Sequence, residues 1–351
     1  MLFHCTKEDC RFWGEGEVLP DACPRCGGAL TVGDREKMTG DDWCALGVFW
    51  IEQDGAEEKA VSCFRRSAQL GSGWGACNLG LCLEQGTGVE ADPRQALWLY
   101  QQAAEMGSLP ALCNLAVCYE EGIGTPPDPR QAVALYRRAA EYGSTRAQRL
   151  LARCCDRGIG MDRRDPAQAA DWYRRGAEAG STACMNNLAE LLAKGDGVPQ
   201  DLEQAMEWYR RAAELDDECA WYNLGWYHEQ AGETVQALDC LRRADELGDG
   251  SACWGLGRFY ETGTAVEQDL EQAFEYYQKG AELEDLNSLC RLVRCYALGI
   301  GTQKDREKAS ALAREILSRN WEETGELEDY GAREELEALR ALWEELETGE
   351  P

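Results

Sequence analysis

One phrase is written twice. "EQGTGVEADPRQALWLYQQAAEMGS" fills residues 84–108, and "EEGIGTPPDPRQAVALYRRAAEYGS" fills residues 120–144, an offset of 36. A chain that restates itself at fixed spacing is built from modules, each of which covers its oily side with the next copy. The unit ends fall at Gly71, Gly107, Gly143, Gly180, Asp216, Gly248 and Glu284, with steps of 36, 36, 37, 36, 32 and 36 residues. That is a solenoid period, and it leaves little room for a single closed domain.

Within a unit, the pattern predicts two helices. In "ACNLGLCLEQG" (76–86), Leu79, Cys82 and Leu83 recur at helical spacing, while Gly75 and Gly80 permit close helix approach. A Gly-x-Gly pair stops this first helix at Gly86/Gly88, Gly122/Gly124, Gly158/Gly160, Gly195/Gly197 and Gly299/Gly301. An Asp-Pro step then opens the second helix at Asp92-Pro93, Asp128-Pro129 and Asp165-Pro166. Its apolar stripe is Ala132, Leu135, Tyr136 and Ala139 in the second quoted phrase. The expected fold class is all-α, an α-solenoid of stacked helix-turn-helix repeats.

These residues resemble the Sel1-like repeat family, a branch of the tetratricopeptide superfamily. The resemblance is clearest in "GDGVPQDLEQAMEWYRRAAEL" (195–215) and covers about eight units over 41–320. Two units, "GVFWIEQDGAEEKAV" (47–61) and "GWYHEQAGETVQAL" (225–238), lack the Gly-x-Gly extension and look like plain tetratricopeptide repeats. After Trp321, Leu336, Leu339, Trp343 and Leu346 share one helical face with acids opposite, so 321–351 is expected to be an acidic helix capping the last repeat. A partner-binding helix is the other reading of that tail.

Four of the eighteen cysteines stand apart at the start: Cys5, Cys10, Cys23 and Cys26. Their spacing, C-x4-C and then "CPRCGG", can surround one tetrahedral ion with four thiolates, and the second half resembles a zinc-ribbon or rubredoxin-like knuckle. Residues 1–33 are therefore read as a small N-terminal zinc-ribbon-like domain with structural zinc, iron being the other candidate. A segment of about 30 residues buries too little surface to fold without such a staple. His4 is a spare ligand beside a complete set. The other fourteen cysteines lie in the repeats. Some secreted members of the family staple each unit with a disulfide, but here the partner position holds Ala68, Ala104, Ala140, Ala177, Ala213 or Ala281. These cysteines read as small buried apolar residues in a reducing compartment.

A formal charge of −28 disfavours nucleic acid and anionic membranes. Residues 1–33 likewise show no basic footprint. No stretch has the length of a signal peptide core or a membrane span, so the expected location is the cytoplasm. Catalytic groups are sparse. His228 falls in a column with Leu83, Tyr119, Leu192, Tyr260 and Tyr296, and there is no S-x-x-K, G-x-S-x-G or phosphate loop. The disulfide-bearing relatives are associated with penicillin binding and β-lactamase activity. A metal- or thiol-dependent enzyme is thus the alternative to a non-catalytic scaffold, and a ribbon-mediated nucleic-acid-associated adaptor is a further one.

In tetratricopeptide arrays the first helices line a concave groove that binds proteins or extended peptides. The resemblance places Trp74, Cys77 and Leu81, then Arg146, Arg149 and Arg153, then Tyr222, Trp226, Trp254 and Arg258 along it. Three arginines in so acidic a chain suit a carboxylate ligand, or else pair with acids of neighbouring repeats such as Glu120, Asp156 and Glu190. Asn78, Asn114, Asn187 and Asn223 precede the Leu-Gly step, where related repeats hold a peptide backbone with asparagine amides. Hydrogen bonds between helices are the other account of them.

Overall fold

The computed structural model describes residues 2–6, 12–15, 23–25, 30–319, 321 and 331–348. The chain divides into two units, Met1–Ala179 with Asp196–Val198, and Gly180–Gly195 with Pro199–Pro351.

The first unit opens on three short strands, β1 (Leu2–Cys5), β2 (Trp13–Glu15) and β3 (Leu30–Val32). They form an antiparallel sheet in the order β2-β1-β3, with Phe3 opposite both Gly14 and Val32. The helix pairs of this unit are α1 (Gly40–Ile51) with α2 (Glu57–Gln69), α3 (Gly73–Gln85) with α4 (Pro93–Glu105), α5 (Leu109–Glu121) with α6 (Pro129–Glu141), and α7 (Thr145–Arg157) with α8 (Pro166–Glu178). Leu2 and Trp13 join Met38, Leu46 and Cys63 in one core, and Trp13 Nε1 donates to Asp42 Oδ1 at 2.8 Å, so the sheet is fixed to the first pair. The all-α expectation holds for the repeats; the strands are an addition that the helical patterning did not contain.

The second unit pairs α9 (Thr182–Lys194) with α10 (Leu202–Ala213), α11 (Glu218–Gln230) with α12 (Thr234–Leu247), α13 (Gly250–Thr262) with α14 (Leu270–Glu282), and α15 (Leu286–Leu298) with α16 (Arg306–Ser318). A last helix, α17 (Ala332–Thr348), follows. Leu336 and Leu339 are buried with Ile316, Ala313 and Trp321, while Trp343 packs at the edge of that core. The side chain of Leu346 lies outside the described residues.

The punctuation works as the chemistry requires. Asp128 Oδ1 accepts from the Gln131 backbone N–H at 3.0 Å with proline in the first turn, and Gly122 ends the helix before it at φ +81°. The second glycine of each pair has another task. A Cβ on Gly124 would lie 2.3 Å from the Pro93 carbonyl oxygen, and one on Gly160 would lie 2.2 Å from that of Pro129. The loop therefore sits directly on the second helix of the preceding repeat, a contact that the sequence reading assigned only to helix termination. The short turns that replace Gly-x-Gly in the two plain units use Gly55 and Gly232 in the left-handed region.

Five of the regular repeats are centred on a buried tyrosine, Tyr100, Tyr136, Tyr173, Tyr209 and Tyr277, while α16 carries Ala313 at that place. In two of them the glycine of the Leu-Gly step makes room for the ring: a Cβ on Gly80 would lie 2.8 Å from Tyr100 Cε1, and one on Gly257 2.4 Å from Tyr277 Cε1. A ring enclosed in this way must satisfy its hydroxyl, and glutamates two residues before the helix-ending glycine accept from it. Tyr100 donates to Glu84 at 2.8 Å, Tyr136 to Glu120 at 2.8 Å and Tyr277 to Glu261 at 2.6 Å.

Candidate functional site

Within each unit, consecutive first helices touch one another as well as their partners: α1 with α3, α3 with α5, α9 with α11, and α13 with α15. The side of each unit that carries these helices is called the first-helix face. Most of the residues singled out from the sequence lie on it.

In the first unit, Trp74 is 55% exposed and Leu81 38%, whereas Cys77 is buried. The asparagines are engaged internally. Asn78 Nδ2 donates to Cys44 Sγ at 3.3 Å and Asn114 Nδ2 to Cys77 Sγ at 3.6 Å, each reaching one repeat back. Asn114 Oδ1 also accepts from Arg146 Nη1 at 2.8 Å. Arg153 Nη2 binds Glu120 Oε1 at 2.6 Å, so Glu120 receives both Tyr136 and Arg153. This is the neighbouring-acid pairing. Asp156 is instead held by Arg164, and Glu190 by Lys194. Between the two tied arginines, Arg149 is half-buried and has no hydrogen bond or ion pair among the described residues. Arg153 Nε is buried without an acceptor.

In the second unit, Asn187 Nδ2 donates to Ala183 O of its own helix at 2.7 Å. Asn223 is half-buried, and the half-buried Trp226 meets Tyr227 edge-on with centroids 4.8 Å apart. Tyr222 and Trp254 are each only 6% exposed, so neither is an open groove contact. Arg258 lies 4.7 Å over the Trp254 ring and pairs with Glu229 at 2.9 Å.

The sequence reading missed the most enclosed ionic cluster among the described residues. Arg291 lies 2.7 Å from Glu335 on α17 and 3.5 Å from Glu261, which also holds Tyr277. The signal was present: Arg291 stands eight residues before its helix-ending glycine, the place that Asn78, Asn114 and Asn187 fill in other repeats.

Of the four cysteines proposed as metal ligands, Cys5 ends β1 and Cys23 precedes the turn at Pro24 and Arg25; both are buried. Cys10 and Cys26 lie outside the described residues. Among the described residues no group of three or more His, Cys, Asp or Glu could hold a metal ion. The His4 ring packs against Trp13, with centroids 4.6 Å apart.

Of the sixteen described cysteines all but Cys219 are buried. Burial pushes the thiols of Cys77, Cys118, Cys154 and Cys295 up to about 12, which holds them protonated and weakly nucleophilic at neutral pH. His228 Nδ1 lies 2.6 Å from Glu233 Oε2. No described helix is long and apolar enough to cross a membrane.

The Sel1 repeat family model matches residues 39–72, 75–108, 109–144, 145–181, 182–217, 250–285 and 286–314. The plain unit formed by α11 and α12 is the helix pair it passes over, whereas the other plain unit is matched. No curated protein matches the sequence. Among solved structures, the chain is similar to a protective antigen present in uropathogenic Escherichia coli strains displaying an SLR fold, with 27% identity, a TM-score of 0.65, and 89% of this chain and 69% of that one covered. It is also similar to a Sel1 repeat protein from Oxalobacter formigenes, at 30% identity and a TM-score of 0.60, covering 80% and 83% respectively. Yeast Tom70, at 15% identity and a TM-score of 0.51 with 88% and 65% covered, shares the fold. With seven matched repeats spanning most of its length, this chain belongs to the Sel1 repeat family.

Proposed function

We propose that the protein is a non-catalytic scaffold whose first-helix face receives a protein segment or extended peptide carrying carboxylates. Sel1 and tetratricopeptide-like repeats generally serve protein interaction. The observation that carries the finer reading is Arg149, half-buried and without a counter-charge among the described residues, in a chain of net charge −28. Acids are abundant, yet this cation is left open while Arg146 and Arg153 beside it are held rigid by Asn114 and Glu120. A fixed fork of donors suits a carboxylate approaching from outside. Exposed Trp74 and Leu81 supply apolar contact on the same face.

The test is affinity capture with the wild-type chain and with Arg149→Glu, followed by calorimetric titration of the ligand recovered. The expected loss on reversing the charge is about 10–100-fold in Kd. An unchanged Kd places binding away from this face.

A structural zinc ion held by Cys5, Cys10, Cys23 and Cys26, with iron as the other occupant, belongs to the same proposal. In its support, the first cysteine pair falls between the start of the sheet and β2, and the second between β2 and β3. Such a site is closed and structural, with no open position for catalysis. Metal analysis of the purified chain should give one equivalent, lost in Cys23→Ser; a metal-free chain with an intact sheet refutes it.

A further inference from the structure

The last helix does not sit as a plain end cap. In the second unit, α11, α13 and α15 each lean chiefly on the second helix before them and only secondarily on the first helix of the preceding pair. Helix α17 reverses this order: it packs more on α15 than on α16. Its entry residue, Gly331, lies against the indole of Trp254, one repeat further in on α13. The helix therefore lies along the first-helix face of the last two repeats.

Its attachment has the marks of recognition. Glu335 Oε1 takes both Nη2 and Nε of Arg291, at 2.7 and 2.8 Å, and the two side chains are 12% and 19% exposed. Arg291 occupies the position that Asn78, Asn114 and Asn187 fill in three other repeats. Next to Glu335, Leu336 and Leu339 enter the core. The seam beyond them is not close-packed. A cleft of about 290 Å³ remains between α15 and α17, lined by Cys290, Arg294 and Leu298 on one side and by Ala338, Leu339 and Leu342 on the other. The cleft opens to solvent, with Leu298 53% exposed at its rim, so this edge of α17 is held less fully than the part that carries Leu336 and Leu339.

We propose that α17 is a cis-bound ligand: the first-helix face of the last two repeats is a receptor for an acidic amphipathic helix, and α17 holds it until a partner helix of the same kind replaces it. The required chemistry is a glutamate set to meet Arg291, followed directly by leucines at the spacing of Leu336 and Leu339. This rests on the scaffold reading and names the partner chemistry for one part of the face. It concerns different residues from Arg149, so either proposal can fail alone.

The probe is a fluorescein-labelled peptide of residues 331–348, added to the full-length chain, with native-state maleimide labelling of Cys290 as an independent measure of whether α17 is seated. Cys290 is buried at 4% beneath α17. Cys113 in the first unit, fully buried, controls for folding. The wild-type chain should exclude the peptide and label slowly. Glu335→Arg should label Cys290 at least 10-fold faster and bind the peptide, with Cys113 still protected. Arg291→Glu should also expose Cys290 but fail to bind the peptide. The exchanged pair Arg291→Glu/Glu335→Arg should restore slow labelling. Exposure of Cys290 without peptide binding in Glu335→Arg would show α17 to be a cap and no ligand, and unchanged Cys290 labelling would show that the ion pair is not its latch. Either result overturns the proposal.

Discussion

Replacing Gly160 and Gly143 separately with alanine distinguishes backbone strain from contact between repeats. Both glycines are left-handed, at φ +67° and +86°. Around Gly143 nothing lies within 4 Å of an added Cβ, so the cost there is conformational alone. A left-handed alanine costs roughly 1–2 kcal/mol, offset in part by the smaller entropy of the unfolded alanine chain, leaving about 1 kcal/mol. At Gly160 the same cost is joined by a Cβ only 2.2 Å from Pro129 O and 2.5 Å from Pro129 C, where ordinary contact begins near 3.4 Å. Those atoms belong to the first turn of α6, which Asp128 caps and the proline ring stiffens, so they cannot turn aside. The loop must lift by about 1 Å, and overpacking of this kind adds about 1–3 kcal/mol. Urea unfolding followed by far-ultraviolet circular dichroism should place Gly160→Ala at about 2–4 kcal/mol of destabilisation and Gly143→Ala at about 1 kcal/mol. Hydrogen exchange should show the excess at the α6–α7 boundary. Equal losses in the two variants would refute the claim that the second glycine serves inter-repeat approach.

Two further outcomes follow from the same packing. Glu120→Ala removes the acceptor of both Tyr136 and Arg153, and should cost about 2–4 kcal/mol, against about 1 kcal/mol for Tyr136→Phe, in the same urea assay; similar losses would deny Glu120 its bridging role. Alkaline stability reports the buried thiols. Because Cys77, Cys118, Cys154 and Cys295 are pushed up from 9.0 to about 12, their contribution is complete below pH 9 and declines as pH rises toward 12, since the unfolded chain releases protons first. Each such thiol lowers stability by about 1.4 kcal/mol per pH unit in that window, and Cys77→Ala should flatten the decline by one thiol's share; a urea midpoint unchanged between pH 9 and pH 10.5 would contradict this.

The helix pairs were legible because their signals are local. Gly122, Asp128 and Pro129 act on their own backbone, and Tyr136 recurs at the repeat period, so period and punctuation suffice to find the elements. The arginine row was legible as a row, but the fate of each member was not. Arg153 and Arg149 lie four residues apart on one helix; one meets Glu120 from the preceding repeat, and the other has no ion pair among the described residues. The role of α17 was half legible. Leu336 and Leu339 announced a packed face, but which helix they would pack on depends on the direction the chain takes to reach it.

By itself, the sequence determined that this chain is an array: a module of about 36 residues cannot cover its own apolar stripe, so identity of pattern forces stacking of like on like. Only the tertiary structure decided which charges on the first-helix face are spent inside and which stay open, and that the chain's own acidic helix lies along its last repeats. The physical reason is that ion pairs and helix docking turn on separations of a few ångströms between residues some 30 to 45 apart in sequence, a distance that no periodicity encodes.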